Sequence, residues 1–226
     1  ELLKALKAGI KPKKIVFSGV GKSSEELKLA IKKGILLINC ESESEAILIN
    51  KIAKSLNKKV SIGFRVNPNI DAKTHKNIST GKADNKFGVS IKNFLIFTKS
   101  IKNLKNINLK ALSVHIGSQI LNEKPYNQTL MVLSNLIKKL NINIEYIDLG
   151  GGFGINYQKK DKPINLTKYS ERVKKFAKKN KCKIIFEPGR SIIGNTGVLI
   201  AKIQYIKNSN NKKFIILDVG MNDFMR

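Results

Sequence analysis

The chain is poor in cysteine, in acidic residues and in arginine. Two cysteines in 226 residues, Cys40 and Cys182, are too few for a disulfide framework, so the fold must rest on an apolar core. The 42% hydrophobic content is ample for one. No stretch reaches the roughly 18–20 unbroken apolar residues of a membrane-spanning helix, and the start lacks the basic, apolar and small-residue succession of a signal peptide. A cytoplasmic protein without a membrane partner is the expectation. With 16 acidic against 43 basic residues the formal charge is +27, which invites a nucleic-acid reading. Yet only four of the 43 are arginine (Arg65, Arg172, Arg190 and Arg226), the usual reader of base edges and phosphates.

What abounds is lysine, isoleucine and asparagine, at 39, 32 and 24 residues, the mixture that AT-rich codons impose. The lysines are spread over the whole length, and short runs such as 11–14 and 174–179 fall in turn-like or helix-like segments. Solvated faces account for that better than a nucleic-acid patch, although counterion release would make so basic a protein adhere to polyanions at low salt. No specific nucleic-acid partner and no metal site is expected. The first residue is Glu1 rather than Met, and Arg226 follows a Met-Asn-Asp-Phe-Met run with no evident terminus, so a piece cut at both ends is expected.

Apolar β-type runs recur at 15–17, 36–39, 60–66, 109–116, 144–149 and 183–186. Between them, helical periodicity covers 24–33, 42–57, 91–101, 125–140 and 166–179. Ser23 or Ser24 before Glu25 and Glu26, and Ser42 before Glu45, have the form of helix caps, and Pro125 suits a first helical position. Such alternation predicts an α/β fold of parallel strands covered by helices, either an open doubly wound sheet or a closed (β/α)8 barrel. Every strand is followed at once by a polar or glycine-rich feature: Ser18 to Gly21, Asn39 to Glu41, Arg65 to Pro68, His115 to Ser118, Gly150 to Gly152 and Glu187 to Arg190. A barrel gathers all those ends on one face, whereas an open sheet needs them only at its switch point, so a partial barrel is favoured. After Arg190 the pattern changes to two β-type runs, 198–206 and 213–219, joined by a turn over 207–212. They predict an antiparallel hairpin opening an all-β domain. The division is a barrel over 1–196, lacking its N-terminal strands, and a β-domain over 197–226. The long polar stretch 67–89 is a functional loop by length and position.

Two motif-like strings fail their templates. Gly21-Lys22-Ser23 lacks the glycine a phosphate loop needs five residues earlier, where Val16 stands, and reads as a loop plus a helix cap. Gly150 to Gly154 does not fit the dinucleotide fingerprint, since Ile155 or Tyr157 occupies the required small position. Three consecutive glycines nevertheless cost backbone entropy, and bare N–H groups approaching an anion would repay it. His115 is either a satisfied core histidine or a flat ring to stack on another ring, with Ser118 beside it as a phosphate donor. Glu187 and Arg190 are either an internal ion pair or two separate tools, a carboxylate for a protonated ring nitrogen and a guanidinium for a carboxylate. Taken together these groups describe a pyridoxal phosphate site on a barrel.

The same segments carry a resemblance. Ile15 to Gly19, Asp71 to His75, Ile78 to Gly81, Lys86 to Gly88, His115 to Gln119, Leu149 to Gly152, Glu187 to Arg190 and Asp218 to Arg226 resemble the diaminopimelate decarboxylases, a fold-type III pyridoxal phosphate family with an alanine-racemase-like barrel and a β-domain. The resemblance implies conversion of meso-2,6-diaminopimelate to L-lysine and CO2, with pyridoxal 5'-phosphate as cofactor and a homodimer with shared sites. It implies that His115 stacks on the pyridine ring, that Ser118, Gly152, Gly189 and Arg190 hold the phosphate, and that Glu187 pairs with the ring nitrogen. Arg190 and Arg226 would bind the amino-acid substrate. Arg65 would support the network, and Asp218 would either meet a substrate amine or cap the hairpin. The family's Schiff-base lysine lies upstream of Glu1, and its late Cys-Glu and Tyr lie after Arg226, so no catalytic residue of that kind is expected in the chain, which would then be inactive alone; Cys40 and Cys182 are ordinary thiols. A decarboxylase of ornithine, arginine or carboxynorspermidine is the nearest rival, then a noncatalytic cofactor carrier and a basic nucleic-acid binder.

Overall fold

The computed structural model describes residues 1–71, 87–157 and 163–224. Most of the functional loop expected over 67–89 lies outside the described residues, as does Arg226. The chain divides into two compact units, Glu1–Ser191 and Ile192–Arg226.

The first unit alternates as the sequence predicts. Short strands β1 (Val16–Phe17), β2 (Leu37–Cys40), β3 (Val60–Asn67), β4 (Val89–Ser90), β5 (Ile107–Ser113), β6 (Tyr146–Asp148) and β7 (Lys183–Ile185) form one sheet with every pairing parallel. Its helices are α1 (Leu2–Lys7), α2 (Ser24–Lys33), α3 (Glu43–Ser55), α4 (Ile91–Ser100), α5 (Lys124–Lys139) and α6 (Leu166–Asn180). Caps fix the starts of several. Ser23, not Ser24, caps α2 in a reciprocal box with Glu26, and Ser42 and Asn165 accept from the amides of Glu45 and Lys168. The Gly-Lys-Ser string is thus a helix cap. Lys22 beside it is buried, pairing with Glu45 at 2.6 Å and donating to the Gly19 carbonyl.

The order along the sheet is β1-β2-β3-β5-β6-β7, with β4 beside β3. A doubly wound sheet would reverse this order at a switch point; here it runs one way, and Ser18 after β1 meets Glu187 after β7 at 2.6 Å. The sheet is therefore curled, a partial (β/α) barrel. Register divides each strand into two faces. Ile38, Phe64, Leu112 and Ile147 are fully or almost fully buried, and Phe64 packs on Phe94 and Phe97 of α4 with centroids 5.2 and 5.3 Å apart. Asn39, Gly63, Arg65, Ser113 and Asp148 occupy the alternate positions of the same strands. One face is apolar and covered by helices, and the other is small and polar.

Three boundaries depart from expectation. β5 ends at Ser113 because residues 114–118 turn out of the sheet to bring His115 forward, and β6 is only three residues long because Gly150 leaves the ladder. The expected turn over 207–212 shrinks to Asn210-Asn211. The short α7 (Arg190–Ile193) spans the boundary, and in the second unit β8 (Ile203–Ser209) pairs antiparallel with β9 (Lys212–Leu217), Ser209 opposite Lys212. Asn210 takes a positive φ of 39°, which asparagine tolerates in a two-residue hairpin loop. Asp218 accepts from the Lys202 amide at 2.8 Å, so its carboxylate ties the base of this hairpin.

Candidate functional site

The polar face converges at the carboxyl ends of the strands. Asn39, at the third position of β2, is 1% exposed, and its Nδ2 donates to Asp148 Oδ2 at 2.7 Å and to Ser18 Oγ at 3.0 Å. Gly63 on β3 makes this possible, since a Cβ there would stand 2.1 Å from Asn39 Oδ1. Ser18 in turn donates to Glu187 Oε1 at 2.6 Å. Asp148, with no exposed surface, also accepts from the Gly150 amide at 2.9 Å and lies close enough to Glu187 to feel its charge. Four strand ends are thereby joined through side chains. Burial and the Glu187 charge push the Asp148 carboxyl up to about 7, against the opposing pull of the Gly150 and Asn39 donors. Ser18 and Glu187 also line a cavity of about 540 Å³ with Leu2, Val16 and Phe17, between the two edges of the sheet.

His115 lies two residues past β5, half-buried, and its Nδ1 accepts from the Gly151 amide at 3.2 Å. Burial first, and then the Arg65 guanidinium, lower its pKa, so the ring is neutral at pH 7 and carries its proton on Nε2. Arg65 is held by Glu41 at 2.9 Å and lies over the Phe87 ring at 4.9 Å. The second Glu41 oxygen accepts from the Gly88 amide at 2.6 Å, fastening the chain just before β4.

The three glycines sit between these groups. A Cβ on Gly151 would lie 2.2 Å from the Glu187 carbonyl oxygen, and one on Gly152, whose φ is +93°, would lie 2.2 Å from the Gly117 carbonyl. Close approach of neighbouring backbones therefore already requires glycine here. The expectation of three bare amides is corrected: Gly150 N–H is bound to Asp148 and Gly151 N–H to His115. Gly152 N–H has no acceptor among the described residues. Glu187 is bound to the same run through its amide, which donates to the Gly150 carbonyl at 2.9 Å.

Of the sequence-derived site residues, His115, Gly152 and Glu187 are brought together around the glycine run. Ser118 lies half-buried in the turn after β5, adjacent to Gln119. Arg190 reaches that same turn: its Nη1 is 3.4 Å from Gln119 Oε1 and 3.2 Å from the Tyr157 hydroxyl, so it forms no ion pair with Glu187. Gly189, between Glu187 and Arg190, faces open space: a methyl group there would meet nothing within 4 Å. Sequence reasoning notes Ser18 and Asn39 among the strand-end features and Gln119 in the run after His115 without giving them a role, and it does not single out Asp148. For Asp148 the available signal is an acid at the end of an apolar strand, directly before the Leu-Gly-Gly-Gly run. Among the described residues no cluster of His, Cys, Asp and Glu could hold a metal ion, and no helix is long and apolar enough to cross a membrane. Cys40 is buried and Cys182 half-buried, both unbridged, and burial raises both thiols.

A family model described as pyridoxal-dependent decarboxylase, pyridoxal binding domain, matches residues 1–194. Diaminopimelate decarboxylases of Aquifex aeolicus (strain VF5) and Helicobacter pylori (strain J99 / ATCC 700824) are 43% and 44% identical over the whole chain, which covers 54% and 56% of them. The crystal structure of diaminopimelate decarboxylase from Helicobacter pylori complexed with L-lysine matches with a TM-score of 0.90 at 43% identity, over 100% of this chain and 57% of that one. The M. jannaschii diaminopimelate decarboxylase in co-complex with L-lysine matches at 0.85 and 35%, over 100% and 54%. The chain thus spans about half the length of the curated relatives it matches.

Proposed function

The chain belongs to the pyridoxal-dependent decarboxylases, and from that premise we propose that it is the cofactor-binding part of a diaminopimelate decarboxylase, releasing CO2 from meso-2,6-diaminopimelate to leave L-lysine. The observation that carries this is the meeting of Glu187, Asp148, His115 and the glycine run at one end of one parallel sheet. In this reading a barrel occupies 1–196 and a β-domain begins at 197. The protein works in the cytoplasm as a homodimer with shared sites, and the lysine excess is a solvated background with no specific nucleic-acid role.

Pyridoxal phosphate supplies an electron sink for the bond that loses CO2. The residues present fit it. Asp148 and Glu187 are adjacent carboxylates with no cation paired to either among the described residues, which suits a protonated ring nitrogen. Neutral His115, with its ring fixed by the Gly151 amide, offers a flat face without adding positive charge. Gly152 N–H, Ser118, Gly189 and Arg190 would hold the phosphate. Arg190 and Arg226 would bind a substrate carboxylate, orienting the bond that breaks. The covalent lysine and the late Cys-Glu and Tyr belong to parts of the protein outside these 226 residues.

The test is product formation by a protein extended to the relatives' full length and supplied with pyridoxal phosphate. L-Lysine and CO2 from meso-2,6-diaminopimelate should form at least about 100-fold faster than product from ornithine, arginine or carboxynorspermidine, because a site built for a second carboxylate rejects substrates that leave its donors unpaired. Preference for one of those three would replace the proposed substrate. The 226-residue chain alone should release no CO2, and measurable turnover by it would overturn the placement of the missing lysine.

A further inference from the structure

Glu187 has a cofactor role in the proposed function, whereas Asp148 is left without a task, although it is the most deeply buried acid of the site. A carboxylate taken fully out of water is costly unless something needs it there. Here both of its oxygens are engaged, Oδ1 by the Gly150 amide at 2.9 Å and Oδ2 by Asn39 at 2.7 Å, and Asn39 links it through Ser18 to Glu187, whose charge it also feels. Neither donor can move far. Gly150 is fixed by its positive φ of 63° and by the Glu187 amide bound to its carbonyl, and Asn39 is itself buried on β2. Glu187 is different. It is exposed in this chain and stands after the edge strand β7, and among the described residues the hydrogen bond to its carboxylate comes from Ser18, with the Asp148 carboxyl nearby.

We propose that Asp148 is a positioning residue for Glu187: with Asn39 and Ser18 behind it, it fixes the Glu187 carboxylate and adds a second negative charge that tightens its hold on a cationic ring nitrogen. The inference rests on the cofactor role proposed for Glu187. In the cofactor-free protein burial and the nearby Glu187 charge raise the Asp148 carboxyl, so below about pH 7 Asp148 keeps its proton. A cationic N–H arriving at Glu187 favours both charges, and that proton leaves to solvent. Cofactor affinity should therefore rise with pH up to about 7 and then level off. Among the described residues His115 after β5 feels the Glu187 charge together with those of Arg65 on β3 and Glu41 after β2, and all three are unchanged in the variants below.

The experiment is equilibrium dialysis of pyridoxal phosphate against the full-length protein and its variants between pH 5.5 and 8.5. Asp148→Asn should weaken binding about tenfold at pH 8 and flatten the pH dependence relative to the parent, whereas in a Glu187→Gln background the same change should alter affinity less than about twofold. An equal loss in both backgrounds, or an unchanged pH profile in Asp148→Asn, would overturn the inference in favour of a purely structural role. If Asp148→Asn does not fold, Ser18→Ala removes the hydrogen bond to Glu187 and is read in the same cycle: it should weaken binding only when Glu187 is present and keep the parent's pH dependence, and an equal loss in both backgrounds would overturn the inference. Normal pyridoxal phosphate binding without turnover of diaminopimelate would reject the proposed substrate and leave this inference standing.

Discussion

The two faces of the curled sheet are built from alternate residues of the same short strands, yet they obey opposite rules. On the helix side Ile38, Phe64, Leu112 and Ile147 bury apolar surface within the hydrophobic core, so each contributes by area and fit. On the inner side Asn39 is bonded to Asp148, Arg65 to Glu41 and Asp148 to the Gly150 amide, while Asn39 Oδ1 and Arg65 Nε are buried with no partner among the described residues. The outer face holds the sheet together. The inner face costs stability and yields a preorganised set of groups.

The largest expected effect breaks the outer face alone. Phe64→Ala should lower unfolding free energy by about 3–5 kcal/mol in urea titrations, since Phe64 is 1% exposed and packed on two aromatic rings. Cofactor affinity of the fraction that folds should be little changed; a selective loss of affinity would blur the distinction between the faces.

Next comes the pH dependence of the inner face. Asp148 titrates at about 7 in the fold against 3.8 for an unperturbed aspartate, so the folded protein holds an extra proton between those values. Its contribution is fully favourable below about pH 4 and is lost as pH rises through 7, by at most about 4 kcal/mol. Urea titrations at pH 5 and 8 should show the parent losing stability with pH relative to Asp148→Asn. A parallel dependence in both would remove Asp148 as the cause.

Smaller still, Gly151→Ala should cost about 1–3 kcal/mol, because its methyl would press on the Glu187 carbonyl and push β6 and β7 apart at their ends. Cofactor affinity should fall more than stability does, which dialysis beside thermal melting would reveal. Least of all, Arg190→Lys should change stability by less than about 0.5 kcal/mol, as its contacts are with partly exposed Gln119 and Tyr157. It should still weaken cofactor binding measurably, since lysine cannot offer the planar fork.

Elements with a strong local signal were legible in advance. Helices α2, α4 and α6 start at the residues the periodicity predicted, Ser23 and Ser42 cap α2 and α3, and the polar features at the strand ends favoured a barrel over an open sheet before any pairing was known. His115, Gly152 and Glu187 stood out because unusual residues at strand ends are visible in one dimension. Ser18 and Asn39 were visible only as strand-end residues without a role, and Asp148 not at all, since each looks ordinary among its own neighbours. Their meaning lies in bonds spanning 109 residues, from Asn39 to Asp148, and 169 residues, from Ser18 to Glu187.

The glycine run shows the same division most sharply. Sequence alone determined that something there demanded bare backbone, because three residues in succession forgo packing and accept extra chain entropy. Only the tertiary structure decided what: Gly151 lies against the Glu187 carbonyl and Gly152 against that of Gly117, while two of the three amides are already bound to Asp148 and His115. The composition likewise determined an apolar core without disulfides or long membrane-spanning runs. Which polar groups share its inner face followed from strand register, because a side chain's partner across a sheet depends on the curling of the whole and not on its place in the chain.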